Sequence, residues 1–171
     1  MGEMCIIMKP DARPIKHRPY HLNPRVKEKV KEKIDKMLKE GLIFSVEEVE
    51  WVSPIFIQSK KDKSEIRVCV DYRSLNNVRI HDPFPTPFSD EVLDNVAGNE
   101  AYSFTDGFSG YHQVSIAEED KKKTIFTTEW GSFAYHVMPF GLKNAPVVFS
   151  RIVIVAFWEY IHKFLEVYND E

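Results

Sequence analysis

The chain has 171 residues, of which 43% are hydrophobic and 13% aromatic, enough apolar material for a globular core and too much for a disordered segment. Its formal net charge of −3 hides an uneven distribution, because residues 1–80 carry 17 lysines and arginines against 12 acids while residues 81–171 carry 6 against 14. Cys5 and Cys69 lack Cys-x-x-Cys spacing and no apolar run nears the roughly 20 residues of a membrane helix, which argues against a zinc module, a disulfide framework and a membrane span.

In chain order, the first segment is punctuated by Pro10, Pro14 and Pro19 among scattered basic residues, and reads as an extended arm over residues 1–22. Such an arm can lie along a neighbouring surface or a nucleic-acid backbone, and the first is expected here. Val26, Val30, Ile34, Met37 and Leu38 then recur at three- and four-residue spacing and predict an amphipathic helix from about Pro24 to Glu40, with Asn23 as N-cap and Gly41 as its stop. Its lysines, Lys27 to Lys39, either solvate one helix face or add to a basic surface.

Val52–Gln58 and Ile66–Tyr72 are β-rich runs flanking a charged turn, the pattern of a hairpin. Pro83, Pro85 and Pro87 break regular structure before a short helix from Ser89 to about Val96. Ala101–Thr105 predicts a strand that delivers Asp106, followed by a glycine-containing turn. Thr124–Thr128 and Ser132–Val137 predict a second hairpin around Gly131, Pro146 opens a helix to about Tyr160, and a final strand begins near Phe164.

Taken alone, Asp106 before Gly107 is an ordinary turn residue. Tyr111 and Phe140 read as core aromatics, and Lys60-Lys61 as a solvated turn. Three motifs in order change that reading: Arg67-Val68-Cys69-Val70-Asp71-Tyr72-Arg73-Ser74-Leu75-Asn76, then Asp106 with Gly110-Tyr111-His112-Gln113, then Met138-Pro139-Phe140-Gly141-Leu142-Lys143-Asn144-Ala145-Pro146. Together they resemble the reverse transcriptase of gypsy-type LTR retrotransposon Pol polyproteins, over almost the whole chain from about Lys9.

The resemblance implies an α+β right-hand polymerase fold limited to fingers (23–80 and 117–139) and palm (81–116 and 140–171), ending before the thumb at a degenerate Tyr168-Asn169-Asp170-Glu171 turn. It implies an RNA-directed DNA polymerase that uses two Mg²⁺ ions, or Mn²⁺, to join deoxynucleoside triphosphates to a primer on an RNA or DNA template. Asp106, Asp170 and Glu171 would be the catalytic carboxylates, with the Gly107 carbonyl as a further metal ligand. Lys60 or Lys61 and Arg67 would meet the triphosphate. Tyr111 would lie beneath the sugar, and Phe140 and Gly141 beside the nucleotide and template. Partners would be the template–primer and the remainder of the polyprotein (thumb, connection and RNase H), in the cytoplasm and off the membrane.

Two departures in the turn bear on activity. The family turn is usually Tyr-x-Asp-Asp with an apolar x, whereas here x is Asn169 and the last acid is Glu171, whose extra methylene moves the carboxylate by about 1 Å or more, and misplacement on that scale can cost on the order of 100-fold in rate. The alternative implied is therefore an inactive remnant with at most weak nucleic-acid binding. An apolar helix face around Ile152, Ile154, Val155 and Phe157 is also expected to stand uncovered. None of the six histidines has metal-ligand spacing, and His112 reads as a packing residue.

Overall fold

The computed structural model describes residues 2–59, 66–84, 89–105, 107 and 109–168. The candidate residues Lys60, Lys61, Asp106, Asp170 and Glu171 lie outside that set, as does the turn between the strands of the first hairpin.

Helix α1 spans Pro24–Lys39, and its start and stop follow the sequence chemistry. The Asn23 side chain accepts a hydrogen bond from the Arg25 N–H, Pro24 needs no amide partner in the first turn, and Gly41 leaves the helix at φ +70°. Val30 and Ile34 are buried, and Met37 and Leu38 pack against the same core. Strands β1 (Ile43–Val46), β2 (Ser53–Ser59) and β3 (Ile66–Val70) follow, then helices α2 (Arg73–Val78) and α3 (Ser89–Val96). A 3₁₀ turn at Gly110–Gln113 and another at Glu118–Thr124 precede β4 (Phe126–Thr128), β5 (Gly131–Tyr135) and α4 (Ala145–Phe157).

The strands form one sheet in the order β1-β5-β4-β2-β3. Only β2 and β4 run parallel, pairing Ser53 with Phe126 and Pro54 with Thr127. In β2–β3, Ile55 pairs with Val70 and Ile57 with Val68 on the core side, while Phe56–Cys69 and Gln58–Arg67 alternate onto the other face. One hydrophobic cluster runs from Val30 and Ile34 of α1 through Ile55, Val70, Tyr72 and Leu75 to Leu142, Ala145 and Val148. A smaller one, Val52, Ile125 and Ala134, forms separately, with Phe44 and Val46 packed on it.

The N-terminal arm lies against its own chain. The Met4 N–H donates to the Ser115 carbonyl at 2.8 Å, the Ala117 N–H to the Met4 carbonyl at 3.0 Å, and Ile80 N–H to the Ile7 carbonyl at 2.9 Å. Further along, the His17 N–H donates to the Val52 carbonyl at 3.0 Å. Met4 and Ile6 are fully buried. Beneath them, Asp120 Oδ2 accepts from the Ile6 N–H at 2.6 Å and Asp120 pairs with Lys123, whose ammonium also donates to the Ile6 carbonyl at 2.9 Å. The buried Arg79 adds a bond to the Cys5 carbonyl at 3.3 Å.

Two sequence expectations fail. Ala101–Thr105 is not a strand and all five residues are exposed, and the segment at Phe164 is a turn between single bridge residues Ile161 and Leu165. A strand exists through the ladder it shares, and among the described residues none pairs with 101–105. The uncovered face of α4 appears only in part: Val155 and Phe157 are exposed, at 71% and 42%, whereas Ile152 packs against the core and Ile154 is half-buried.

Candidate active site

Tyr111 stands at the head of the 3₁₀ turn that begins with Gly110, and Phe140 sits in the turn between β5 and α4. The fold brings the two rings together with centroids 4.8 Å apart. Phe149 of α4 meets Tyr111 edge-on at 5.4 Å, and His112 meets Phe140 edge-on at 5.7 Å. Phe140 itself is 63% exposed, so the cluster presents an open aromatic wall.

Two glycines let this wall form, for different reasons. A Cβ on Gly110 would stand 2.4 Å from Phe149 Cζ, so only glycine admits the ring there. Gly141 has φ +93° and a Cβ on it would meet the Val70 carbonyl at 3.4 Å and the Tyr72 ring at 3.6 Å. The Gly107 carbonyl accepts from the Gly110 N–H at 3.0 Å, closing the turn that follows Asp106 and leaving one lone pair of that oxygen outside this bond.

The motif around Arg67 is built more rigidly than its composition indicates. Arg67 itself lies on the exposed face of β3 opposite Gln58. Asp71 anchors the start of α2: its N–H donates to the Pro54 carbonyl at 2.8 Å, and its carboxylate accepts from the Arg73 backbone N–H at 3.1 Å and from the Arg73 guanidinium at 2.6 Å. Side-chain hydrogen bonding from Arg73 holds the Asp71 carboxyl below its ordinary pKa. Tyr72 is wholly buried and donates its hydroxyl to the Thr124 carbonyl at 2.9 Å, and burial raises its pKa well above the usual value. Asn76 reaches from α2 to the turn carrying Phe140, donating to the Gly141 carbonyl and accepting from the Lys143 N–H, both at 2.9 Å. Asn76, Phe149 and the Asp71–Arg73 clamp were not singled out by sequence reasoning. Asn76 stands in a quoted motif, but its partner lies 67 positions away in the chain.

Burial lowers the His112 pKa below 6.5, against an opposing pull from Glu40. The unfolded chain therefore takes up this proton at higher pH than the folded one, so stability falls on acidification through 6.5 toward the depressed folded value and rises again with pH. Urea melts at pH 7.5 and 5.5 should show a smaller acid loss in His112→Gln than in wild type. An unchanged difference would remove His112 from the acid response.

For metals, the described residues contain no group of three His, Cys, Asp or Glu side chains able to hold an ion. The donor set drawn from the motifs is nevertheless all hard oxygen, carboxylates at Asp106, Asp170 and Glu171 with the Gly107 carbonyl, and that chemistry fits Mg²⁺ or Mn²⁺ rather than a soft or imidazole-seeking metal.

Residues 58–171 match the family model described as reverse transcriptase (RNA-dependent DNA polymerase). The chain belongs to the reverse transcriptase family. It is 36% identical over 160 residues to the Retrovirus-related Pol polyprotein from transposon opus of Drosophila melanogaster, covering 91% of this chain and 16% of that one. With the corresponding polyprotein from transposon gypsy it shares 31% over 166 residues, and with an RNA-directed DNA polymerase homolog of Oenothera berteroana 41% over 106 residues, 75% of the latter. The chain thus spans about one-sixth of the transposon polyproteins it matches. Foamy viral protease-reverse transcriptase superposes with a TM-score of 0.79 in complex with RNA/DNA hybrid (24% identity, 96% of this chain, 22% of that one). In complex with ds DNA the TM-score is 0.81 (23% identity, 99% and 29%). This likeness identifies the fold as that of the polymerase fingers and palm. Family membership carries a general dependence on divalent metal.

Proposed function

We propose that this reverse transcriptase domain catalyses RNA-directed DNA synthesis, in which a primer 3′-hydroxyl attacks the α-phosphate of a deoxynucleoside triphosphate and pyrophosphate leaves in line. The observation that carries this reading is the Tyr111–Phe140 contact at 4.8 Å, on turns held by Gly110 and Gly141, within a chain of this family. Tyr111 lies beneath the sugar and excludes a 2′-hydroxyl by bulk, while Phe140 and Gly141 border the nucleotide and template. Arg67, with Lys60 or Lys61, offers fixed positive charge to the triphosphate. Asp106, Asp170, Glu171 and the Gly107 carbonyl would hold two divalent ions, which would supply positive charge to the phosphoryl transfer.

The fingers comprise 23–80 and 117–139, and the palm 81–116 and 140–171. Within the palm range several large apolar side chains are exposed, Phe104 at 96%, Phe164 at 79%, Trp158 at 73% and Val155 at 71%, and such side chains suit cover by the remainder of a Pol polyprotein. No helix among the described residues is long and apolar enough to cross a membrane. Action on a template–primer in the cytoplasm is part of the same proposal.

The test is sugar discrimination. Tyr111→Val should raise incorporation of UTP relative to dTTP by on the order of 100-fold on an RNA template. An unchanged ratio in an active variant would remove Tyr111 from the sugar site.

A further inference from the structure

We propose that Asn76 is a positioning residue that sets the Phe140 wall against Tyr111 and thereby tunes nucleotide affinity. The proposal rests on the polymerase reading above and adds to it a residue that touches neither substrate nor metal.

The turn carrying Phe140 is seated on one side only by shape. Gly141 lies against the Val70 carbonyl and the Tyr72 ring, contacts that forbid a larger residue but do not prevent sliding across that surface. Asn76 supplies the direction. Its amide donates to the Gly141 carbonyl and accepts from the Lys143 N–H, each at 2.9 Å, so one side chain grips two backbone groups as a neighbouring strand would.

The grip is only as firm as the helix that bears it, and α2 is tied down at its start. The Asn76 N–H donates to the Tyr72 carbonyl at 2.8 Å, Asp71 is fastened to Pro54, and Tyr72 is fastened to Thr124. A rigid path therefore runs from β3 through Asn76 to Gly141, and from there to the Phe140 ring and its partner Tyr111. Asn76 is half-buried, and both its bonds go to main-chain atoms, so what it fixes is the position of the turn whatever side chain occupies 140.

Asn76→Asp separates the two bonds: it keeps the acceptor for Lys143 and removes the donor to Gly141 with almost no change in shape. Asn76→Ala removes both, and Asn77→Ala on the exposed side of α2 is the control. Each full-length chain is bound to poly(rA)·oligo(dT) with a dideoxy-terminated primer and titrated with dTTP and Mg²⁺. In parallel, NMR ring-proton shifts of Tyr111 and Phe140 report their mutual placement, and thermal melts report folding. The expected result is ring shifts moving toward unstacked values in both Asn76 variants, dTTP dissociation constants raised about tenfold, and the control unchanged. Ring shifts that stay at wild-type values in both folded variants would overturn the proposal, as would moved rings with unaltered dTTP affinity. A wild-type chain that binds no dTTP while its ring shifts still depend on Asn76 would overturn the polymerase reading, and the nucleotide role with it.

Discussion

Asp120→Ala should lower stability by about 3 kcal/mol, the cost of stripping one partner from a buried ion pair. Asp120 is 3% exposed and faces three demands at once: the Ile6 N–H, the Lys123 ammonium and the field of Arg79. Arg79 is 4% exposed and, among the described residues, two of its guanidinium nitrogens lack a hydrogen-bond partner. Burial already pulls its pKa down to about 10, with Asp120 and Asp82 opposing that pull. Removing the carboxylate leaves this cation and Lys123 with less counter-charge and leaves a buried amide without an acceptor. For a domain of this size the melting midpoint should fall by about 6–12 °C. Asp120→Asn returns an acceptor to Ile6 but not the charge, and should lie between the two. The N-terminal arm would lose protection in amide exchange first, at Met4 and Ile6. An Asp120→Ala chain that melts with wild type would mean that the arm is not held there.

The second large effect is steric. Gly110→Ala places a methyl 2.4 Å from Phe149 Cζ and 2.7 Å from Cε2, distances at which something must move. The ring cannot yield freely, because it is half-buried and packed edge-on against Tyr111. Overpacking of this kind costs about 1–3 kcal/mol. Phe149→Leu in the same chain should recover part of the loss by vacating the contested volume, so a double-mutant cycle by urea denaturation should show favourable coupling between the two changes. Additive losses would mean that the two positions do not contend for the same space.

What could be read from the sequence was what is locally coded. Helix α1 followed from the period of Val26, Val30, Ile34, Met37 and Leu38 with Asn23 and Gly41 at its ends, and the β4–β5 pair followed from alternation around Gly131. The family, and with it the fold, was legible in the order of three motifs. Elements that exist only through distant partners were not. Strand β1 is four residues long and is a strand because β5 pairs with it, Ile43 opposite Tyr135. Helix α2 has Tyr72 at its N-cap with no side-chain cap of its own, and the carboxylate that takes its first amide belongs to Asp71, one position earlier, so the usual N-cap position carries no signal. The reverse error has the same origin: Ala101–Thr105 has strand-like composition and, among the described residues, no strand beside it.

At the site, Tyr111 and Phe140 were legible as motif residues, and the structure joins them. The parts that join them were not, since Gly110 reads as a flexible turn until Phe149 is seen above it, and Asn76 reads as a helix residue until its amide is found on Gly141 and Lys143.

The most direct measurement is primer extension by the 171-residue chain on poly(rA)·oligo(dT) with Mg²⁺ or Mn²⁺, beside an Asp106→Asn control. The predicted result is extension that depends on the divalent ion and vanishes in the control, because Asn removes a carboxylate from the proposed metal-holding set while preserving shape. No extension from a chain shown to be folded, or extension that survives Asp106→Asn, would contradict it.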